Sequence, residues 1–196
     1  MGEELNLIIR EDDCAAFDPT EDELMLHFLR PQLRGFSPRV AGAVVEADPC
    51  AAAPWDLLAL HGRRDEGYFF SPRARASRRK QSVRRTIAGG GAWMHSSTKN
   101  GQSVSELGVV VRWCRVNFCF YVFGGSGGEA GRVSTGWMMA EYEITDPRCY
   151  RRADDGEEDE FWVLCHVRKS SRSPAVRDST SAAAPAKSRR RKAAVA

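Results

Sequence analysis

The apolar residues of this 196-residue chain come mostly in short runs rich in β-branched and aromatic side chains, and that pattern limits the fold more than any other feature. Leu107 to Val116 and Phe118 to Phe123 carry the strongest strand signals, with Val109, Val110, Val111, Trp113, Phe118, Phe120 and Tyr121. Tyr68-Phe69-Phe70, ended by Ser71-Pro72, reads as a buried strand, and Ala92 to Thr98 as a strand rich in hydroxyls. Trp137 to Tyr142 and Phe161 to Val167 read the same way, while Ala41 to Glu46 is a short apolar segment preceding Pro54-Trp55-Asp56-Leu57-Leu58. One stretch alone is clearly helical. Thr20 and Glu23 fit a capping box, Glu21 and Asp22 suit the positive end of a helix dipole, and Leu24, Met25, Phe28 and Leu29 form one apolar face before Pro31 stops the helix. The expected fold is therefore mainly β (α+β): a twisted antiparallel sheet flanked by a few short helices.

Charge is unevenly distributed along the chain. Between Arg63 and Arg85 nine Lys/Arg stand against Asp65 and Glu66, and the run Arg78-Arg79-Lys80-Gln81-Ser82-Val83-Arg84-Arg85 leads through Gly89-Gly90-Gly91 into Trp93. A cluster that dense repels itself unless anions compensate it, so a polyanion is its natural partner; a solvated basic loop is the plainer alternative. Residues 1–16 form an acidic extension. Residues 170–196 form a basic Ser/Ala/Arg/Pro tail with nothing to bury, expected to be disordered. The tail contains Arg189-Arg190-Arg191-Lys192, which looks like a short nuclear-import signal. Without the tail the chain is weakly acidic, which suggests one oriented basic face.

Enzyme chemistry finds little support. Gly125-Ser126-Gly127-Gly128-Glu129-Ala130 has dinucleotide-binding spacing, but Arg132-Val133-Ser134-Thr135-Gly136 is a poor helix to follow it, so a hairpin loop is expected. Cys165 and His166 are adjacent on a strand and would face opposite ways. The cysteines Cys14, Cys50, Cys114, Cys119, Cys149 and Cys165 lack paired metal-ligand spacing, and reduced, mostly buried thiols are expected. The acidic run at Asp154-Asp155 reads as a solvated loop. No apolar run approaches the ~18–20 residues of a membrane span. No catalytic residue, metal, cofactor or small-molecule substrate is expected. His95, Ser96, Ser97, Thr98, Lys99 and Asn100, beside the basic run, could reach base edges in a major groove if their strand lies at the sheet edge; an ordinary polar hairpin is the alternative.

In order, Phe17-Asp18-Pro19-Thr20-Glu21-Asp22-Glu23-Leu24, Pro54-Trp55-Asp56-Leu57, Tyr68-Phe69-Phe70-Ser71-Pro72-Arg73, Ala88-Gly89-Gly90-Gly91-Ala92-Trp93, Trp137-Met138-Met139-Ala140-Glu141-Tyr142 and Trp162-Val163-Leu164-Cys165 resemble the NAC domain of plant transcription factors. The resemblance covers roughly residues 17–169. It implies a nuclear regulator that binds double-stranded DNA by inserting a strand edge into the major groove, and a homo- or heterodimer with other NAC-domain proteins formed near the N-terminus. The alternative is a non-activating partner that dimerises with complete family members. The implied DNA-binding positions are Arg78, Arg79, Lys80, Arg84, Arg85, Thr86, Trp93, Met94, His95, Ser96, Ser97, Thr98, Lys99, Asn100 and Arg115. The implied dimer positions are Ala16, Phe17, Asp18, Pro19 and Glu23. Where the family has a lysine after the tryptophan this chain has Met94, and where it has an arginine paired to the dimer glutamate this chain has Ala16. The family's arginine before the glycine turn falls on Thr86, and its paired lysines fall on Arg115 and Val116.

Overall fold

The computed structural model describes residues 17–36, 40, 42–74, 84–87, 90–124, 131–149 and 160–171. The acidic extension, Arg78 to Lys80, the Gly125–Ala130 loop, the acidic run at Asp154 and the import motif lie outside them. Seven strands form one sheet: β1 Val44–Glu46, β2 Glu66–Ala74, β3 Arg84–Ile87, β4 Gly91–Val104, β5 Val110–Phe123, β6 Arg132–Ile144 and β7 Glu160–Lys169. Their spatial order is β1-β2-β7-β6-β5-β4-β3. All neighbours are antiparallel except β1 and β2, which run parallel at one edge. The expected mainly β sheet is present, with this one parallel pair as the difference. A second difference is that the two strand segments expected on either side of Asn117 are one continuous strand, β5.

The first helix, α1, is α-helical over Glu21–Glu23, π-helical over Leu24–Leu29 and α-helical again over Arg30–Gln32. Its capping box is complete: the Glu23 amide donates to Thr20 Oγ1 at 3.3 Å, and the Thr20 amide donates to Glu23 Oε2 at 2.8 Å. Pro31 does not stop the helix but sits in its last turn. A proline ring there crowds the carbonyl four residues back and brings no amide; the wider i→i−5 turns just before it, as in Arg30 N–H to Met25 O, provide the accommodation. The second helix, α2, spans Pro54–Leu60, with proline in the first turn where no amide is needed.

The helices belong to opposite sides of the sheet. Leu24, Met25, Phe28 and Leu29 of α1, and Leu33 just after it, pack with Tyr68, Phe70, Trp113, Tyr142, Ile144 and Leu164. Leu57 and Leu58 of α2 pack with Phe69, Trp93, Phe118, Phe120, Met139, Val163 and Cys165. Both faces of β2 are buried, which explains why Tyr68-Phe69-Phe70 is apolar without alternation. The same period of two separates Cys165, in the α2-side core, from His166, whose ring stacks on Tyr68 at 4.2 Å and whose Nε2 lies 2.5 Å from Glu66 Oε1. Burial pushes the Cys165 thiol well up, and burial likewise raises Cys50, Cys114 and Cys149. A raised thiol pKa lowers the thiolate fraction at neutral pH.

Glycine is required at two successive positions for different reasons. Gly90 turns the chain into β4 with a φ of 99°, in the left-handed region. At Gly91 a Cβ would stand 2.3 Å from Phe120 Cζ, and Phe120 has nowhere to go: it is fully buried, 5.0 Å from the Trp93 ring and 5.7 Å from Trp55. Gly91→Ala is expected to cost about 1–3 kcal/mol by overpacking, read as a lower denaturant midpoint with an unchanged m-value. Thr20→Ala removes the cap, and the thermal midpoint is expected to fall by about 2–4 °C. Because hydrogen bonds from the Thr20 backbone and side chain hold the Glu23 carboxyl below its usual range, the cap contributes above the unfolded carboxylate pKa and is lost as pH falls through the lowered one. The difference between wild type and Thr20→Ala in thermal melts should therefore shrink in acid.

Candidate nucleic-acid interface

β3 covers only the first residues of β4, pairing Arg84 with Met94 and Ile87 with Gly91. From His95 to Val104, β4 has β5 on one side and, among the described residues, no strand on the other. The edge position that the hydroxyl-rich segment required is thus present. Register shifts between His95 and Ser97: His95 pairs with Phe118 and Ser97 with Asn117, leaving Ser96 as an extra residue. Such a bulge bends an edge strand and re-aims its side chains. His95 to Asn100 are all exposed, six residues in a row without the in-out alternation of a strand lying against a core.

The polar side chains on this segment are partly held in place. His95 Nε2 lies 2.9 Å from Thr98 Oγ1, and Asn117 Nδ2 donates to Ser97 Oγ at 2.8 Å. Ser96 and Asn100 make no side-chain hydrogen bond among the described residues. Lys99 Nζ donates to Glu21 Oε2 at 2.8 Å and lies 5.5 Å from the centre of the Trp113 ring. Arg115, its cross-strand neighbour, donates to the other oxygen of the same carboxylate. A glycine makes room under this pair: Trp113 Cζ2 would be 2.2 Å from a Cβ at Gly101.

Several sequence-expected positions have other roles. Trp93 is fully buried, and its Nε1 donates to Pro49 O at 3.0 Å. Its side chain cannot touch a nucleic acid; it fixes the start of β4 in the core, because a strand beside a covered face turns alternate residues inward. Arg85 is a half-buried structural cation: it donates to Glu141 Oε1 at 2.6 Å and lies 5.2 Å from the Phe118 ring centre. Glu141 also accepts from Arg73 at 3.3 Å, and Arg73 reaches Asp48 Oδ1 at 3.2 Å. Arg63 donates to the carbonyls of Gly42 and Ala43. Three cations of the basic stretch therefore brace the fold. Thr86 is exposed on β3 and Met94 half-buried, its sulfur 3.3 Å from Arg132 Nη1. Arg84 is placed by its backbone alone, and Arg78, Arg79 and Lys80 lie outside the described residues.

Register also brings in residues that the sequence reading did not select. Asn117 on β5 faces Ser97; Arg132 on β6 and Arg168 on β7, the latter paired with Met138 of β6, are both exposed. Nothing in their local sequence marks them, because strand pairing alone makes them neighbours. Of the expected dimer positions, Phe17 packs edge-on against Phe28 at 5.4 Å and Tyr68 at 5.1 Å within its own chain. Glu23 is engaged in its own capping box, Asp18 and Pro19 lie between the two, and Ala16 is outside the described residues.

NAC domain-containing protein 48 of Oryza sativa subsp. japonica is 31% identical over 153 residues, covering 77% of this chain and 47% of that protein. NAC domain-containing protein 18 of Arabidopsis thaliana is 29% identical over 173 residues, covering 82% and 51%. NAC transcription factor 47 of Arabidopsis thaliana is 29% identical over 184 residues, covering 79% and 48%. The chain thus spans about half the length of the curated relatives it matches. The family pattern described as No apical meristem (NAM) protein matches residues 14–144, from the segment before α1 to the end of β6, and the chain belongs to that NAC-domain family.

Proposed function

We propose that the chain is a nuclear, DNA-binding regulator of transcription of the NAC type. The observation that carries the reading is the exposed, bulged segment of β4 from His95 to Asn100, which has no outer strand partner among the described residues, with Lys99 and Arg115 beside it. A strand edge with exposed hydroxyls, an amide and an imidazole fits a major groove, which admits a narrow β element and displays donors and acceptors to it. Ser96 and Asn100 are the side chains freest to meet base edges. Arg78, Arg79, Lys80 and Arg84, with Arg132 and Arg168, would meet phosphates, while Met94 stands where the family has a lysine. Arg189 to Lys192 would direct nuclear import.

Neutralising roughly 4–6 phosphates gives a log–log dependence of affinity on salt with a slope of about −4 to −5, measurable by fluorescence anisotropy on a random-sequence duplex. A flat salt response, or no duplex binding at low salt, counts against the proposal. Changing Arg78, Arg79 and Lys80 to Gln should flatten the slope by about 2–3 while leaving the melting curve in place. Arg85→Ala, by contrast, should lower stability by about 3 kcal/mol in denaturant titrations, since it leaves the nearly buried Glu141 with one partner fewer.

A second reading is favoured by the internal pairing of Arg85, Lys99 and Arg115. Here the chain is a non-activating partner that dimerises with complete NAC proteins. Stable co-migration with a full-length NAC protein in size-exclusion chromatography, together with no duplex affinity of the chain itself, would decide for it.

A further inference from the structure

We propose that Glu21 limits the strength of nucleic-acid binding by competing with backbone phosphates for Lys99 and Arg115. This rests on the reading that the β4 edge faces duplex DNA. Glu21 stands in the first turn of α1 and uses both carboxylate oxygens, Oε2 for Lys99 and Oε1 for Arg115. The two cations come from adjacent strands at paired positions, so one carboxylate spans the β4–β5 ladder from the helix above it. The side chains are accessible: Lys99 is 53% exposed, Arg115 29% and Glu21 27%. A phosphate approaching this edge meets ammonium and guanidinium groups already compensated. To bind them it must displace the carboxylate or accept its repulsion at close range.

The arrangement is specific to one of three neighbouring acids. Glu23 folds back onto Thr20, and Asp22 is exposed and takes no part in the contact with the sheet. Glu21 is not a member of the capping box, so removing its charge leaves both hydrogen bonds of that box in place. Lys99 Nζ also lies 5.5 Å from the centre of the Trp113 ring, a contact that does not involve Glu21. The clamp therefore compensates the positive field of this edge, and that field is restored when the carboxylate is displaced.

The test compares Glu21→Gln, Asp22→Asn, Lys99→Gln/Arg115→Gln, and the triple variant adding Glu21→Gln to that pair. Each is titrated with a random-sequence duplex between about 50 and 200 mM salt. Glu21→Gln is expected to bind roughly 3- to 10-fold more tightly at the low-salt end, with a slope steeper by about 1–2. Asp22→Asn should change affinity by less than about twofold, and Glu21→Gln should gain nothing once both cations are gone. A gain equal to that of Asp22→Asn, or one that persists without Lys99 and Arg115, overturns the proposal, since a general field would then explain it. Steep binding by wild type with Glu21→Gln unchanged overturns the clamp alone. Absence of duplex binding by wild type and every variant overturns the DNA reading, and the clamp with it.

Discussion

Glu141 lies on the α2 side of the sheet, nearly buried beside Cys165 and Met139, and the two guanidinium groups that neutralise it arrive from opposite sides: Arg73 from β2 and Arg85 from β3. A carboxylate removed from water in this way is tolerable only while paired, so the contact fixes the positions of all three strands at once. β3 depends on it most. That strand is four residues long and has β4 as its sole ladder partner among the described residues. Arg85, lying over Phe118 on its way to Glu141, keeps β3 seated on the sheet, and β3 in turn holds the first residues of β4. The geometry of the exposed edge thus derives from a charge contact on the far side of the core.

Local features were legible in the sequence. The capping box needs only Thr20 and Glu23 three residues apart, and both of its hydrogen bonds are present. The strand signals gave the right architecture, because β-branched and aromatic runs bounded by glycine have few other ways to bury themselves. The glycine-rich segment after β5 leads into strand β6 rather than a helix, as its Val-Ser-Thr content suggested. Conversely, the apolar segment at Ala41 to Glu46 gave no sign that it would pair in parallel, since direction is set by where the chain returns from. The accommodation of Pro31 by wider helical turns was equally hidden.

The polar run of β4 stands out in the sequence, whereas the ion pairs around it do not. Glu21 is 78 residues from Lys99 and 94 from Arg115; Glu141 is 68 from Arg73 and 56 from Arg85. Counting charges within a window cannot see partners so distant, and so the basic stretch looked more available than it is. Trp93 was misassigned for a related reason. The family resemblance implied it as a binding position, but its side chain belongs to the inward phase of β4.

The bulge at Ser96 separates two halves of β4 that each keep strict register with β5. Every other position there answers to a cross-strand neighbour, so a change is felt by Phe118, Asn117 or Arg115. Ser96 answers to none. It is surplus to the ladder, exposed at the apex of a free edge, and can be replaced without disturbing a core contact. In evolutionary terms, on the proposed reading of this edge, it is a position where target preference could drift while the fold stays constant, with novelty and stability uncoupled.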